Sequence, residues 1–231
     1  MSLAGSLQHD EVHIWQVKLG SPTWDIFSIV LNRDEREKAA RYRTPLLQQH
    51  YSRCRSALRL ILCLYANQSA AGLNFRYGQF GKPELADHHR LHFNLSHSGD
   101  HALIAISVHL VGIDLEFMGN ANIDLAGLID LVCHPEEKAA LAPLPDAEKS
   151  MMFHRLWTQK EAYCKMRGIG LQQSLAALHF SATDTPSVSQ VYIEESDHAS
   201  TFFVHNLNLL DGYAASLCLP LAEARIGLFK A

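Results

Sequence analysis

Gly112-Ile113-Asp114-Leu115-Glu116 reads as a strand carrying two carboxylates on one face, because side chains at i and i+2 of a strand point the same way. Downstream, Trp157-Thr158-Gln159-Lys160-Glu161-Ala162-Tyr163-Cys164-Lys165 reads as a helix, in which Glu161 and Lys165, four residues apart, share a face. If strand and helix pack together, three carboxylates and a lysine converge, a set that suits a magnesium ion holding a phosphate ester. Taken singly, each piece has a plainer reading. Asp114 and Glu116 fit a solvated strand face or surface salt bridges. Glu161 and Lys165 fit the common stabilising helix pair, Lys160 a solvated neighbour or a phosphate contact, and Trp157 a core position.

Outward from these stretches, Val12 to Leu19 alternates like a strand and Trp24 to Leu31 reads as helical. Asn32 with Glu35 resembles a capping box opening a basic helix to Tyr42, with Pro45 as its breaker. Gln48 to Ala66 carries an apolar stripe at helical spacing through Tyr51, Cys54, Leu58, Ile61, Leu62 and Tyr65. Leu91 to Leu95 alternates, with His92, Asn94 and Ser96 on a polar face. Ala102 to Val108 and Val111 to Phe117 read as strands around a turn near His109. Asp124 to Ala142 reads as an interrupted helix, and Asp146 to Arg167 as a long helix ended by Gly168. Leu178 to Phe180, Val188 to Ile193, Thr201 to Leu207 and Tyr213 to Leu219 are strand-like. The order predicts an α+β chain of two halves, residues 1–111 and 112–231, with no flexible linker between them, so that the halves should pack closely.

The bulk properties exclude several classes. The 231 residues carry a formal net charge of -4, which implies no general attraction to nucleic acid or membrane. Five scattered cysteines without a C-x-x-C pair suit reduced thiols in a cytoplasmic protein. Met1 to Gln8 has neither the basic start nor the apolar run of a signal peptide. Leu58 to Leu64 is too short to span a bilayer. His88, His89, His92, His97 and His101 cluster in sequence but match no zinc-ligand spacing, and exposed loop histidines are the expectation.

Three further features suit phosphate. Gly81-Lys82-Pro83 is a turn that presents a lysine rigidly. Asn94-Leu95-Ser96-His97-Ser98-Gly99 ends a strand in a small-residue turn whose Ser, His and backbone N–H groups can cradle phosphate oxygens. Ser96 and His97, adjacent on a strand, point apart and are poorly placed as a nucleophile and its base. Arg36, Lys38, Arg41, Arg43, Arg53, Arg55 and Arg59 stand out in an acidic chain: about half are expected on solvated helix faces, and the rest could grip a phosphate or an acidic protein partner.

In this order, Gly81-Lys82-Pro83, Phe93-Asn94-Leu95-Ser96-His97-Ser98, Gly112 to Glu116, Trp157 to Lys165 and Gly168-Ile169-Gly170-Leu171 resemble the 4'-phosphopantetheinyl transferase superfamily, Sfp type. The resemblance spans residues 81–171 and implies a pseudo-twofold pair of α+β halves with coenzyme A bound between them. It implies transfer of the phosphopantetheine arm of coenzyme A to a serine of an acyl or peptidyl carrier protein, with release of adenosine 3',5'-bisphosphate. By the same likeness Asp114, Glu116 and Glu161 match magnesium ligands, Lys165 a pyrophosphate contact and His97 a phosphate contact, beside the Ser96 that the turn itself offers to phosphate. Lys82 falls near the nucleotide and Arg55 resembles a 3'-phosphate contact, while Lys160 is set among the coenzyme A contacts on its own charge. Cys133-His134-Pro135-Glu136-Glu137 departs from the family's Phe-Ser-Pro-x-Glu, with Glu137 as the matching glutamate and Glu136 as a substitute. The serine proton could go to Glu116, Glu137 or a metal-held water. Two halves in one chain favour a monomer. The rival readings are a magnesium-dependent coenzyme A phosphohydrolase and a non-catalytic module that binds coenzyme A or a carrier.

Overall fold

A computed structural model describes residues 7–119, 123–170, 174–180, 188–195 and 198–231; residues 1–6 and Leu171 of the last motif lie outside them. The elements run β1 (Glu11–Lys18), α1 (Arg33–Ala40), α2 (Pro45–Ala66), β2 (Phe75–Tyr77), β3 (Pro83–Leu85), β4 (His92–Ser98), β5 (His101–Ser107) and β6 (Gly112–Phe117). They continue with α3 (Leu125–Val132), α4 (Pro135–Leu141), α5 (Asp146–Arg167), β7 (Val188–Glu195), β8 (His198–Asn206), β9 (Tyr213–Leu219) and β10 (Arg225–Lys230).

Strand alternation sorts the side chains into three cores. Val17, Ala102, Ile104, Ile106 and Phe93 pack one face of the β10-β1-β5-β4 sheet against the apolar stripe of α2. Their neighbours Val12, Ile14, Leu103 and Ala105 face the other way and meet Ile113, Leu115, Ala215 and Leu217 of the β6-β9-β8-β7 sheet. The outer face of that second sheet, with Val204 and Cys218, packs on Phe153, Leu156, Ala162 and Met166 of α5. The result is a mixed α+β stack of helix, sheet, sheet and helix. It puts Asp114 and Glu116, which alternate with the inward Ile113 and Leu115, on the α5 side.

Local chemistry explains the element ends. The Asn32–Glu35 capping box is present, with Asn32 Oδ1 accepting from the Glu35 N–H at 2.9 Å and Glu35 Oε2 accepting from the Asn32 N–H at 3.0 Å. Pro45 does not break a helix from outside: α1 has already ended, and Pro45 opens α2 in its first turn behind the N-cap Thr44. Proline fits there because that N–H has no helical partner to lose. The segment Pro22–Val30 is a 3-10 helix. Val111 to Phe117 does not form a hairpin with its predecessor; β5 pairs with β1 and β4, whereas β6 pairs with β9, so the chain changes sheets near residue 110. Leu178 to Phe180 is extended but joins no ladder. The strand β10 had no counterpart in the sequence reading. It runs parallel to β1, Val12 opposite Ile226, and returns the end of the chain to the first sheet.

Three of the basic residues are structural. Arg53 grips Asp25 with two bonds of 2.7 and 2.8 Å and donates to the Leu19 carbonyl at 2.7 Å. Glu35, 3% exposed, takes Arg55 on one oxygen at 2.7 Å and Arg59 on the other at 2.7 Å. Arg59 is wholly buried and also donates to the carbonyls of Ala70 and Leu73. Burial pushes the Glu35 carboxyl up, but the two guanidiniums outweigh it and hold the pKa below its ordinary 4.5. A lowered carboxylate pKa gives stability that is present above pH 4.5 and lost as pH falls through the folded-state value. Glu35→Gln leaves two buried guanidiniums without a counter-charge. Urea melts are expected to show a loss of about 3–5 kcal/mol at pH 7. That loss should shrink toward pH 3; a loss independent of pH would contradict the ion-pair account.

Candidate functional site

The site is built where β4, β6 and α5 meet. Helix α5 lies so close to β6 that a Cβ on Gly112 would stand 2.0 Å from the Ala162 carbonyl oxygen and 2.4 Å from the Met166 nitrogen. Glycine at the strand start is what permits this approach. It brings Glu161 and Lys165 of α5 over the face of β6 that carries Asp114 and Glu116. Gly168, at φ 67°, then ends the helix, its N–H donating to the Cys164 carbonyl.

Strand β4, the free edge of the first sheet, supplies the other wall, and its polar face closes the seam through side chains. Asn94 Oδ1 accepts from the Ile113 N–H at 2.8 Å. Ser96 Oγ donates to Asp114 Oδ1 at 2.8 Å, and Ser98 Oγ donates to Glu116 Oε2 at 3.0 Å while accepting the Phe117 N–H. Three alternate residues of β4 thus tie to four residues of β6, Ile113, Asp114, Glu116 and Phe117. In the sequence reading Asn94 stood on a polar strand face and Ser98 in a phosphate-cradling turn, but neither as a tie to β6; the two-residue polar period along β4 was the signal for that.

Lys165 Nζ lies 2.5 Å from Asp114 Oδ1 and 2.9 Å from Ser96 Oγ. Asp114 is 2% exposed, and its second oxygen, Oδ2, is buried with no hydrogen-bond partner. Burial, together with Asp114 and Glu116, pushes the Glu161 carboxyl up to about 7. Burial and the Asp114 charge also raise Glu116, which Ser98, Lys165 and a hydrogen bond from Trp157 partly offset. Trp157, expected in the core, is half-buried and touches the site by this bond. Crowded carboxylates with an unpartnered buried oxygen form a donor set that a hard divalent cation satisfies. Their oxygens are not gathered as ligands: among the described residues the cluster with all atoms within 4.8 Å of one another lies elsewhere, at His134, Glu136 and His179.

Beside Lys165 opens a cavity of about 300 Å³, whose walls include Lys38, Tyr42, Arg55, Ser96 and His97. A second, of about 270 Å³, shares Lys165, Leu95 and the Gly81–Pro83 turn and reaches Glu161 and Gly170. His97 is exposed at this mouth, and partial desolvation with the nearby Lys165 and His50 lowers its imidazole pKa. Arg55 lines the cavity with its guanidinium held by Glu35, a carboxylate it shares with the buried Arg59. Lys38 is exposed there, its ammonium 5.6 Å from the Tyr51 ring centre and without an ion-pair partner among the described residues.

Three predicted contacts sit differently from the sequence reading. Lys82 Nζ donates to the carbonyls of Met166 at 2.8 Å and Val111 at 3.2 Å, strapping the β2–β3 hairpin to the end of α5 and to the crossing between sheets. Burial brings its pKa down to about 8. Lys160 is neither a solvated neighbour nor open to a phosphate. It is 0% exposed, and its ammonium donates to Glu137 Oε2 at 2.6 Å and to the carbonyls of Val132 and Leu175. Glu137, 1% exposed, accepts the N–H groups of His134 and Phe180 as well, so both its oxygens are engaged inside the α4–α5 core. One residue along α5 from Glu161 turns the side chain through about 100°, from the cleft into that core. The sequence cluster His88 to His101 is spread over β4, β5 and the preceding loop.

All five cysteines are free thiols. Among the described residues no helix is long and apolar enough to cross a membrane.

A family model described as the 4'-phosphopantetheinyl transferase superfamily matches residues 110–218, which contain β6 and α5. The 4'-phosphopantetheinyl transferase HetI of Nostoc sp. is 36% identical over 186 residues, 78% of each chain. A putative 4'-phosphopantetheinyl transferase of Synechocystis sp., slr0495, is 33% identical over 70% of this chain and 67% of its own. The 4'-phosphopantetheinyl transferase Sfp of Bacillus subtilis is 29% identical over 63% of this chain and 62% of its own. With similarity at this level reaching across the strand, the helix and the cleft they build, the chain belongs to the 4'-phosphopantetheinyl transferase superfamily.

Proposed function

We propose that the protein transfers the 4'-phosphopantetheine group of coenzyme A to a serine of an acyl or peptidyl carrier protein, with adenosine 3',5'-bisphosphate leaving. The observation that carries the site assignment is the meeting of Asp114, Glu116, Glu161 and Lys165 at the mouth of the cleft, with Asp114 Oδ2 unpartnered. The family supports the transferase chemistry.

Asp114, Glu116 and Glu161 would hold Mg2+, which supplies charge neutralisation on the pyrophosphate. Lys165 adds its ammonium from α5 and His97 a donor from β4; Ser96, whose hydroxyl donates to Asp114, accepts from Lys165 and holds it in place. Phosphoryl transfer asks chiefly for positioning and for neutralisation of developing charge, which these groups supply. Lys38, exposed in the cavity and without an ion-pair partner among the described residues, is the freer cation for a further phosphate; Arg55 is fixed in the wall by the Glu35 carboxylate it shares with Arg59. Glu116 is the residue we assign to receive the serine proton, since its raised carboxyl pKa moves toward neutral pH and it is partly open. Glu137 has no free oxygen for that role. In this reading residues 1–111 and 112–231 act as two related halves around coenzyme A, with β10 crossing back to tie them into a monomer.

Asp114→Ala is expected to lower transfer by about 10²–10³ or more while the melting curve stays cooperative. Full transfer at saturating magnesium would remove Asp114 from the metal set. Because a cation must displace the Glu161 proton, the apparent magnesium affinity is expected to fall as pH drops below about 7. Magnesium titrations between pH 6 and 8.5 read this directly, and a flat profile would contradict it. Lys160→Met strands the buried Glu137 carboxylate and should cost about 3–5 kcal/mol of stability with an unchanged KM for coenzyme A. A raised KM at unchanged stability would instead mark Lys160 as a phosphate contact.

A further inference from the structure

We propose that His134, Glu136 and His179 form a second metal site, for a zinc-class transition ion, away from the carboxylate cleft. Each offers one ligand atom, and the three atoms lie within 4.8 Å of one another. The imidazole rings of His134 and His179 stack at 4.9 Å between centres, and His179 Nε2 lies 3.5 Å from Glu136 Oε2.

The backbones that carry these ligands are fixed from beneath by one buried ion pair. His134 is the N-cap of α4, its N–H held by Glu137 Oε2 at 2.8 Å, and Pro135 in the first turn sets the direction of the helix start. On the other side, the N–H of Phe180 donates to Glu137 Oε1 at 2.8 Å, and Lys160, paired with Glu137, also holds the Leu175 carbonyl. Leu178 and Phe180 are buried and His179 between them is exposed, so the extended backbone turns the imidazole outward toward α4. Both arms of the site are therefore anchored, while the side chains keep the freedom to close on an ion. Tetrahedral bonds of about 2.0–2.1 Å need ligand atoms about 3.3 Å apart, a spacing the His179–Glu136 pair already approaches at 3.5 Å and the full set must close to from within 4.8 Å.

The ligand chemistry selects the ion. Two imidazoles and a carboxylate suit Zn2+, Ni2+ or Cu2+ and leave coordination positions open to water. Magnesium prefers an all-oxygen set, so the two sites would not compete for one metal. Cys133, next in sequence, is fully buried with its thiol pKa raised to about 11 and stands outside the ligand set. Ligation through His134 Nε2 moves a proton to Nδ1 and gives up the contact from the Glu136 N–H, a long bond of 3.3 Å. A bound ion would cross-link residues 178–180 to α4, and hence brace the Lys160–Glu137 pair under the outer face of α5.

Calorimetric titration of the purified full chain with Zn2+ in millimolar magnesium tests this. The wild type is expected to bind one equivalent with micromolar or tighter affinity and to melt at higher temperature when loaded. Loss of an outer-sphere partner already costs 10–100-fold in metal affinity, so losing a ligand in His179→Ala or Glu136→Gln should weaken binding by at least roughly tenfold and abolish the thermal shift. Both residues are exposed and neither caps the helix backbone, so the variants should fold, and His179→Ala should keep its magnesium-dependent transfer. Cobalt provides a second readout, with d–d absorption present in the wild type and absent in His179→Ala. Unchanged zinc affinity in both variants, or no zinc binding by the wild type, would overturn the proposal.

Discussion

The structure turns on the contact between β6 and α5. With no side chain at Gly112, the helix sits against the strand backbone at the Ala162 carbonyl and the Met166 nitrogen. That distance decides how near Glu161 and Lys165 come to Asp114 and Glu116. It also forces three carboxylates into a half-buried space, where one of them titrates near neutrality. A chain does not pack like charges in this way without a counter-charge. Lys165 supplies part of it, and the unpartnered oxygen of Asp114 marks where more is wanted.

The second constraint is the seam between β4 and β6. Two sheets meet there without a backbone ladder, and Asn94, Ser96 and Ser98 replace it with side-chain bonds to β6. A seam of this kind positions residues of both sheets on one cleft while leaving their strand edges available to a ligand. Lys82 and β10 then strap the assembly from two other directions, the first across to the end of α5 and the second back onto β1. The cleft is thus held by polar ties around it, with the apolar cores placed above and below.

The parts of this arrangement that follow local rules were legible in the sequence. Asp114 and Glu116 obey the strand period, Glu161 and Lys165 the helix period, and the Asn32 capping box and the Gly168 terminator stand where their chemistry predicts. What escaped is pairing over long separations, for which sequence periodicity carries no signal. Glu137 finds Lys160 from 23 residues away, and Glu35 finds Arg55 and Arg59 from 20 and 24. Each converts an apparent functional charge into a structural one. Pro45 misled for a different reason: one residue type both stops a helix and starts one, and only the position of Thr44 decides between them. The strand β10 pairs with β1 across the whole chain, a partnership that its own alternation does not announce.

The central claim is that this cleft moves the phosphopantetheine arm from coenzyme A to a carrier serine. Intact-mass measurement of an apo carrier protein, incubated with the wild-type chain, coenzyme A and magnesium across a panel of acyl and peptidyl carriers, tests it most directly. The account predicts a phosphopantetheine-sized gain on at least one carrier, located at a serine and abolished by a chelator. Coenzyme A hydrolysed with every carrier left unmodified would contradict it and assign the same carboxylates to a phosphohydrolase.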